Sequence, residues 1–278
     1  MKSIICQNGT EFWIPVRPSL PVKDYRIRIR LGMFHALPVL TFTKDNRAGM
    51  QYRRYQCVLW KEKQGESMKY NGIYWSLFAP MMKKSILTRF GESLAERSIR
   101  EGKKEYRRLL SRADDLGPGN PMASNAYFAY VFAAAWLGSG RKIKPDEMAL
   151  VMTDVLESRL LRFVFGMTDL NRQPKKWYRD MKKYEAWFNL HGQDYPVNWN
   201  VNFDESRHRD GSYYYFSRCP IYEFCKREGI AELMPALCAT DEVMFRLQHG
   251  KLYREHTIAS GEPICDYWVV GDRIKIPE

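Results

Sequence analysis

The sequence has no long apolar run. Its longest apolar patch covers residues 126–137, whereas a helix that spans a bilayer needs about 18 or more apolar residues. Only a few apolar residues follow Met1 before the polar residues 7–10, which is not the pattern of a secretory signal. We therefore predict a cytoplasmic protein without a membrane-spanning segment.

Several familiar site motifs are also missing. The chain has neither a glycine-rich phosphate loop nor a Gly-x-Ser-x-Gly elbow. Its six cysteines are widely spaced, without the close Cys or His pairs that structural zinc sites normally show. A cytosolic chain keeps such cysteines reduced. We predict no cofactor, and a divalent metal bound by ligands from distant segments stays an open alternative.

Length and charge set broad limits. A chain of 278 residues can bury a large core in one domain or two unequal ones. The net charge of +12 favours an anionic partner. The basic residues are nevertheless spread over predicted helix faces and lack a recognised binding motif. A nucleic-acid or membrane-surface binder is therefore the least favoured alternative.

Hydrophobic periodicity predicts an α+β fold. Residues 1–70 form a strand-rich extension of unknown role, with strict alternation at residues 25–31 and further strands at 39–42 and 55–60. A helical region follows over residues 71–192. Its predicted helices lie within 75–110, at 126–137 with Ser124 or Asn125 as cap, at 145–165 and at 175–190. Residues 193–278 form a smaller mixed region with an antiparallel hairpin, and 71–278 could be one continuous domain.

The C-terminal region concentrates the reactive side chains. Cys219 precedes Pro220, and Gly229 follows nine residues later, so a short helix over 220–228 with Cys219 as its N-cap is predicted. A thiol there faces unpaired amides, which lowers its pKa and makes Cys219 a candidate nucleophile. The alternative is a small buried cysteine under a helix start.

A second helix from Pro235 to about Leu247 puts Cys238 and Asp241 on one face, because they are three residues apart. The carboxylate could take the proton of the thiol or bind a cationic part of a substrate. A core cysteine beside a surface aspartate explains the spacing equally well.

Residues 252–258 and 264–270 are predicted as two strands joined by a loop at 260–263. Alternation places Arg254 and His256 on one face and Thr257 on the other, and it points Cys265 and Asp266 in opposite directions. Only one of that last pair can then share a pocket. Arg254 could grip a substrate carboxylate, or it could pair with a nearby acid.

These residues, in this order and spacing, resemble the C-terminal signature of the L-2-amino-thiazoline-4-carboxylic acid hydrolases. The resemblance covers residues 199–267. One departure is Tyr267, where phenylalanine is more usual, and we expect it to matter little. The residues that carry the resemblance are Cys219, Pro220, Glu232, Leu233, Pro235, Cys238, Asp241, Arg254, Thr257, Ile258, Ala259, Gly261, Cys265 and Asp266.

The resemblance implies a hydrolase that opens a five-membered ring at a C–N bond, in a cyclic amidine-like small molecule with a carboxylate. The residues fit such chemistry: a Cys219 or Cys238 thiolate could attack, Asp241 could bind the amidinium and later act as general base, and Arg254 could hold the carboxylate. His256 could transfer protons, but the family pattern does not fix a histidine at that position. Attack by water, with structural or metal-bound cysteines, and a non-catalytic ligand- or metal-binding protein are the alternatives. The predicted catalytic residues are Cys219, Cys238, Asp241, Cys265 and Asp266, and the predicted substrate-binding residues are Arg254, His256 and Thr257.

Overall fold

The computed structural model describes residues 2–5, 11–14, 67–208 and 212–275. The chain divides into two compact units, residues 1–64 and 65–278. In the first unit, strands β1 (Lys2–Ile5) and β2 (Glu11–Ile14) pair antiparallel. The strands predicted at 25–31, 39–42 and 55–60 lie outside the described residues.

The second unit joins a helical layer to a small sheet, which confirms the α+β class. α3 is buried nearly all round, as its apolar sequence predicts, and it packs against α1 and α2. None of the described helices is long and apolar enough to cross a bilayer. The helices are α1 (Gly72–Phe90), α2 (Glu92–Arg112), α3 (Ala123–Gly138), α4 (Pro145–Leu156), α5 (Arg159–Gly166), α6 (Lys176–His191), α7 (Pro220–Arg227) and α8 (Met234–Leu247).

The sheet of this unit is antiparallel, with strand order β3-β4-β6-β5. Because side chains alternate along a strand, Cys265 and Tyr267 of β6 pack against the main core, while Trp268 and Val270 belong to a separate cluster. One face of the sheet thus looks toward the helices. The strands are β3 (Asn200–Phe203), β4 (Ser212–Arg218), β5 (Gly250–Tyr253) and β6 (Cys265–Gly271).

The structure corrects several predicted boundaries. The helical stretch at 75–110 is broken by Gly91, whose φ of +87° suits glycine. The helix predicted over 145–165 is two helices, divided at Glu157 and Ser158. The N-cap of α3 is Met122 rather than Ser124 or Asn125, because both predicted caps already lie inside the first helical turn.

The two C-terminal helices begin as predicted, with Cys219 as the N-cap of α7 and Pro235 in the first turn of α8. The predicted strand over 252–258 is wrong beyond Tyr253. β5 ends there, and a single 3₁₀ turn at Ile258–Ser260 interrupts the connection to β6. Side-chain alternation therefore does not extend to Arg254, His256 and Thr257.

Helices α2 and α3 touch through glycine. An ideal Cβ on Gly138 would lie 2.4 Å from the amide nitrogen of Gly102 and 2.4 Å from the carbonyl oxygen of Ser98. Both are backbone atoms, so neither can rotate away. The backbones can pack this closely only because Gly138 has no side chain.

We expect Gly138→Ala to lower the free energy of unfolding by about 1–3 kcal/mol, the usual cost of overpacking. Gly166→Ala is the matched control, because the nearest atom to its added Cβ is 3.9 Å away. Denaturant titration of both variants measures the difference. Equal stability of the two would contradict the close α2–α3 contact.

Candidate active site

A cavity of about 140 Å³ lies between the helix-facing side of the sheet and helices α3, α6 and α8. We call it the central pocket. Its wall is mostly aromatic, aliphatic and thioether, with a few polar groups. It is lined by Met122, Asn125, Phe128, Ala129, Leu156, Trp177, Met181, Trp199, Tyr214, Phe216, Cys219, Ile221, Met234, Leu237, Cys238, Thr240, Asp241, Met244, Phe245, Cys265 and Tyr267.

Three thiols reach this pocket from three different elements. Cys219 arrives from the start of α7, Cys238 from α8 and Cys265 from β6. Cys225 is also on α7, but it is fully buried and is not part of the pocket lining. All four are free thiols. The fold therefore brings Cys219, Cys238 and Cys265 together with Asp241, as a shared site requires.

The pocket thiols are protonated at neutral pH. Burial raises the pKa of Cys219 to about 12, although the amides of Ile221 and Tyr222 at the helix start act in the opposite direction. Burial likewise raises the pKa of Cys238 and of Cys265. The lowered pKa predicted for Cys219 is therefore wrong in sign, because desolvation of the thiolate outweighs the helix amides.

Asp241 lies in the wall of the pocket. Its Oδ2 accepts hydrogen bonds from Arg254 Nη1 at 2.8 Å and from the Tyr267 hydroxyl at 2.8 Å. Its Oδ1 accepts no hydrogen bond from the residues that the structure describes, and 27 % of its side chain is exposed. Burial raises the pKa of Asp241, and the charge of Arg254 and the two hydrogen bonds oppose that rise.

Arg254 lies behind Asp241 and is not part of the pocket lining. Only 8 % of its side chain is exposed. Its Nη2 donates to the carbonyl oxygen of Cys238 at 3.0 Å and lies 3.8 Å from Glu242 Oε1. The sequence left two roles open for Arg254. The structure shows one of them, the ion pair with a nearby acid.

Asp266 points to the opposite side of β6 from Cys265, as the alternation predicts. Its carboxylate accepts the amide N–H of His256 at 2.7 Å and that of Glu255 at 3.2 Å. Thr257 caps the 3₁₀ turn by accepting the Ser260 amide at 3.2 Å. The structure does not bring Asp266, His256 or Thr257 into the central pocket, and their observed contacts shape the loop after β5.

Among the described residues, the side chains of Glu255, His256 and Asp266 form one group with metal-ligand spacing, with ligand atoms within 4.8 Å of one another. This group contains no pocket residue. Two of its members already have other partners, since Arg207 lies 3.2 Å from Glu255 and the Asp266 oxygens accept amides. Contacts within the protein thus account for two of the three side chains, and the third, His256, has its Nδ1 3.6 Å from Asp266 Oδ2.

Tyr267 makes a contact with Asp241 that the sequence did not predict. Its hydroxyl holds Asp241, and its ring stacks on Tyr214 with centroids 5.2 Å apart. A phenylalanine ring could stack on Tyr214 in the same way, but it could not donate the hydrogen bond to Asp241. The position of Tyr267 two residues after Cys265 on one strand was the available signal.

Because its pKa is near 12, Cys219 should be about one part in ten thousand thiolate at pH 8. We expect iodoacetamide to alkylate it far more slowly than it alkylates the same cysteine in guanidinium-unfolded protein. The rate should rise about tenfold per pH unit while the fold holds. Peptide-resolved mass spectrometry measures this. A rate at pH 8 equal to that of the unfolded chain would contradict the burial of the thiol.

The C-terminal part of the chain matches a known family. The family model described as L-2-amino-thiazoline-4-carboxylic acid hydrolase matches residues 124–269, more than half of the chain. The match begins in α3 and ends in β6, so it contains every element that supplies the pocket thiols and Asp241. A search of curated proteins finds no match. The family name implies a hydrolase, and the chain belongs to the L-2-amino-thiazoline-4-carboxylic acid hydrolase family.

Proposed function

We propose that the protein hydrolyses a C–N bond in a small cyclic amidine, with Cys219 as nucleophile and Asp241 as the amidinium anchor. One observation carries the proposal. Thiols from three elements and one carboxylate, fixed by Arg254 and Tyr267, face a single small pocket. An amidine carbon is an electrophile, and its nitrogens are cationic when protonated, so the two kinds of group match the two ends of such a substrate.

Asp241 suits the role of anchor because one of its oxygens is fixed and the other is free of described partners. Arg254 and Tyr267 both bond Oδ2, which orients the carboxylate before a ligand arrives. Preorganised groups of this kind stabilise charge in a reaction without having to rearrange. We assign Arg254 to positioning Asp241, because the guanidinium is already bonded to protein groups.

Cys219 is the preferred nucleophile among the three thiols. It is half-buried rather than fully buried, and the amides of Ile221 and Tyr222 act to stabilise its thiolate. Cys265 is more deeply buried, and its Sγ already accepts the Ile258 amide at 3.1 Å. At the N-terminus of α7, the Sγ atom of Cys219 also faces the positive end of the helix.

The substrate itself supplies the base. An amidine that enters in its neutral form takes the proton of the Cys219 thiol. The amidinium formed in this way is held by Asp241, and its positive charge stabilises the thiolate. Sγ then bonds to the amidine carbon as the C=N bond becomes single. A proton passes from the exocyclic amino group, through Asp241, to the ring nitrogen, and the ring C–N bond breaks.

The intermediate is bound to Sγ through the former amidine carbon. Water adds to that carbon, the bond to Sγ breaks, and the sulfur regains its proton from the added water. The sum is one water molecule added across one C–N bond. No oxidant or metal takes part in this sequence of steps.

The raised pKa values of all three pocket thiols favour a second candidate, direct attack by water on the bound amidine. In that route Asp241 acts as general base, a role that its raised pKa improves. The thiols would then only shape the pocket. Replacing Cys219 separates the two routes.

We expect Cys219→Ser to reduce kcat/KM on 2-amino-thiazolines by about a thousandfold or more, as loss of a nucleophile does. Cys225→Ala is the matched control, because Cys225 is on the same helix but outside the pocket lining, and it should keep activity. Mass spectrometry that detects the gain of one water measures turnover. Activity of Cys219→Ser within tenfold of the parent would favour the water route.

Tyr267→Phe should move the acidic limb of the kcat/KM profile to higher pH. The tyrosine hydroxyl lowers the pKa of Asp241, so its removal raises that pKa, and the anchoring carboxylate is lost at a higher pH on acidification. Tyr178→Phe is the control, because Tyr178 is not part of the pocket lining and its hydroxyl donates to Glu205 rather than to Asp241. An unchanged acidic limb in Tyr267→Phe would show that ionised Asp241 does not limit the reaction.

A further inference from the structure

Asp241 is the one charged side chain among the described residues that line the central pocket. Lysine, arginine and histidine do not occur in that lining. We propose, as a refinement that rests on the proposed function, that the pocket selects a cationic single-ring amidine without a carboxylate. The family's name points to a carboxylate on the ring, so the refinement concerns this chain's own specificity.

The nearest guanidinium is not available to a substrate anion. Arg254 bonds Asp241 and the Cys238 carbonyl oxygen, and it is 8 % exposed. Glu242 lies 3.8 Å from the same guanidinium. Two carboxylates thus surround one cation, which leaves this end of the pocket with an excess of negative charge and favours a positive ligand.

Three of the neutral donors in the wall are also engaged. The indole N–H of Trp177 donates to Gln248 at 2.9 Å, and the Thr240 hydroxyl donates to the Leu237 carbonyl oxygen at 2.6 Å. The Tyr267 hydroxyl donates to Asp241. A carboxylate placed here would gain none of these three hydrogen bonds and would meet no positively charged side chain among the described lining residues. Burying a carboxylate without a countercharge is expensive.

The remaining wall sets the size and polarity of the ligand. A volume of about 140 Å³ is close to that of an engineered cavity of roughly 150 Å³ that binds benzene. A single five- or six-membered ring with a small substituent therefore fits. Phe128, Met181, Met244 and Phe245 give that substituent apolar contacts, so a hydrogen or methyl group suits the site better than an ionised group.

The test is calorimetric binding of four 2-amino-thiazolines to the full chain. The ring carbon that carries the carboxylate in the family's named substrate bears hydrogen, methyl, carboxamide or carboxylate. Carboxamide matches carboxylate in shape but is neutral, so it separates charge from size. We expect the carboxylate to bind at least about tenfold more weakly than the carboxamide. Equal or tighter binding of the carboxylate would overturn the proposal.

Met181→Lys supplies the cation that the lining lacks, and it should reverse the order so that the carboxylate binds more tightly than the carboxamide. Met181→Leu is the matched control and should keep the parent's order. A Met181→Lys protein with the parent's order would count against a charge-based selection. If the four compounds bind in the expected order but none is turned over, the proposed hydrolysis is contradicted and the proposed ligand preference is supported.

Discussion

The structure of the site depends on one ion pair, Asp241 with Arg254. Arg254 joins α8 to the segment that follows β5, because it bonds both the Asp241 carboxylate and the carbonyl oxygen of Cys238 one turn earlier. Tyr267 on β6 completes the arrangement through the same Asp241 oxygen. A helix, a loop and a strand are thereby fixed around one carboxylate. Removing Arg254 would leave the Asp241 carboxylate largely buried and without its cation, which is strongly unfavourable.

The surrounding fold explains why this carboxylate is useful. β6 presents Cys265 and Tyr267 to the helices, and α7 begins with Cys219 directly after β4. The apolar wall keeps the pocket thiols protonated. Such a site does not hold a preformed thiolate. In the proposed route, the chemistry begins when a basic ligand enters and becomes cationic by taking the thiol proton. The presence of the substrate would then be what activates the nucleophile.

Much of this arrangement could be predicted from local sequence. Proline and glycine marked α7 and α8, three-residue spacing put Cys238 beside Asp241, and alternation placed Cys265 and Asp266 on opposite faces of β6. The rest needed long-range information. β5 ends at Tyr253 because the Asp266 carboxylate binds the amides of Glu255 and His256, a contact across eleven residues that strand periodicity does not reveal.

Desolvation was the second effect that sequence could not supply. The thiol pKa of Cys219 follows from which side chains enclose it, and Phe128, Trp177 and Met181 come from helices far away in the chain. The position of Cys219 at a helix start, taken alone, predicted a lowered pKa for its thiol. The roles of His256, Thr257 and Asp266 as loop contacts also appear only once the turn after β5 is seen.

The most direct test of the account is an experimental structure with 2-amino-2-thiazoline bound at neutral pH. We expect the amidine nitrogens to lie within hydrogen-bond distance of Asp241. The ring carbon between nitrogen and sulfur should face Cys219 Sγ. Arg254 should keep its bonds to Asp241 and Cys238. A ligand bound outside the central pocket, or bound there with Arg254 turned away from Asp241 to contact it, would contradict the account.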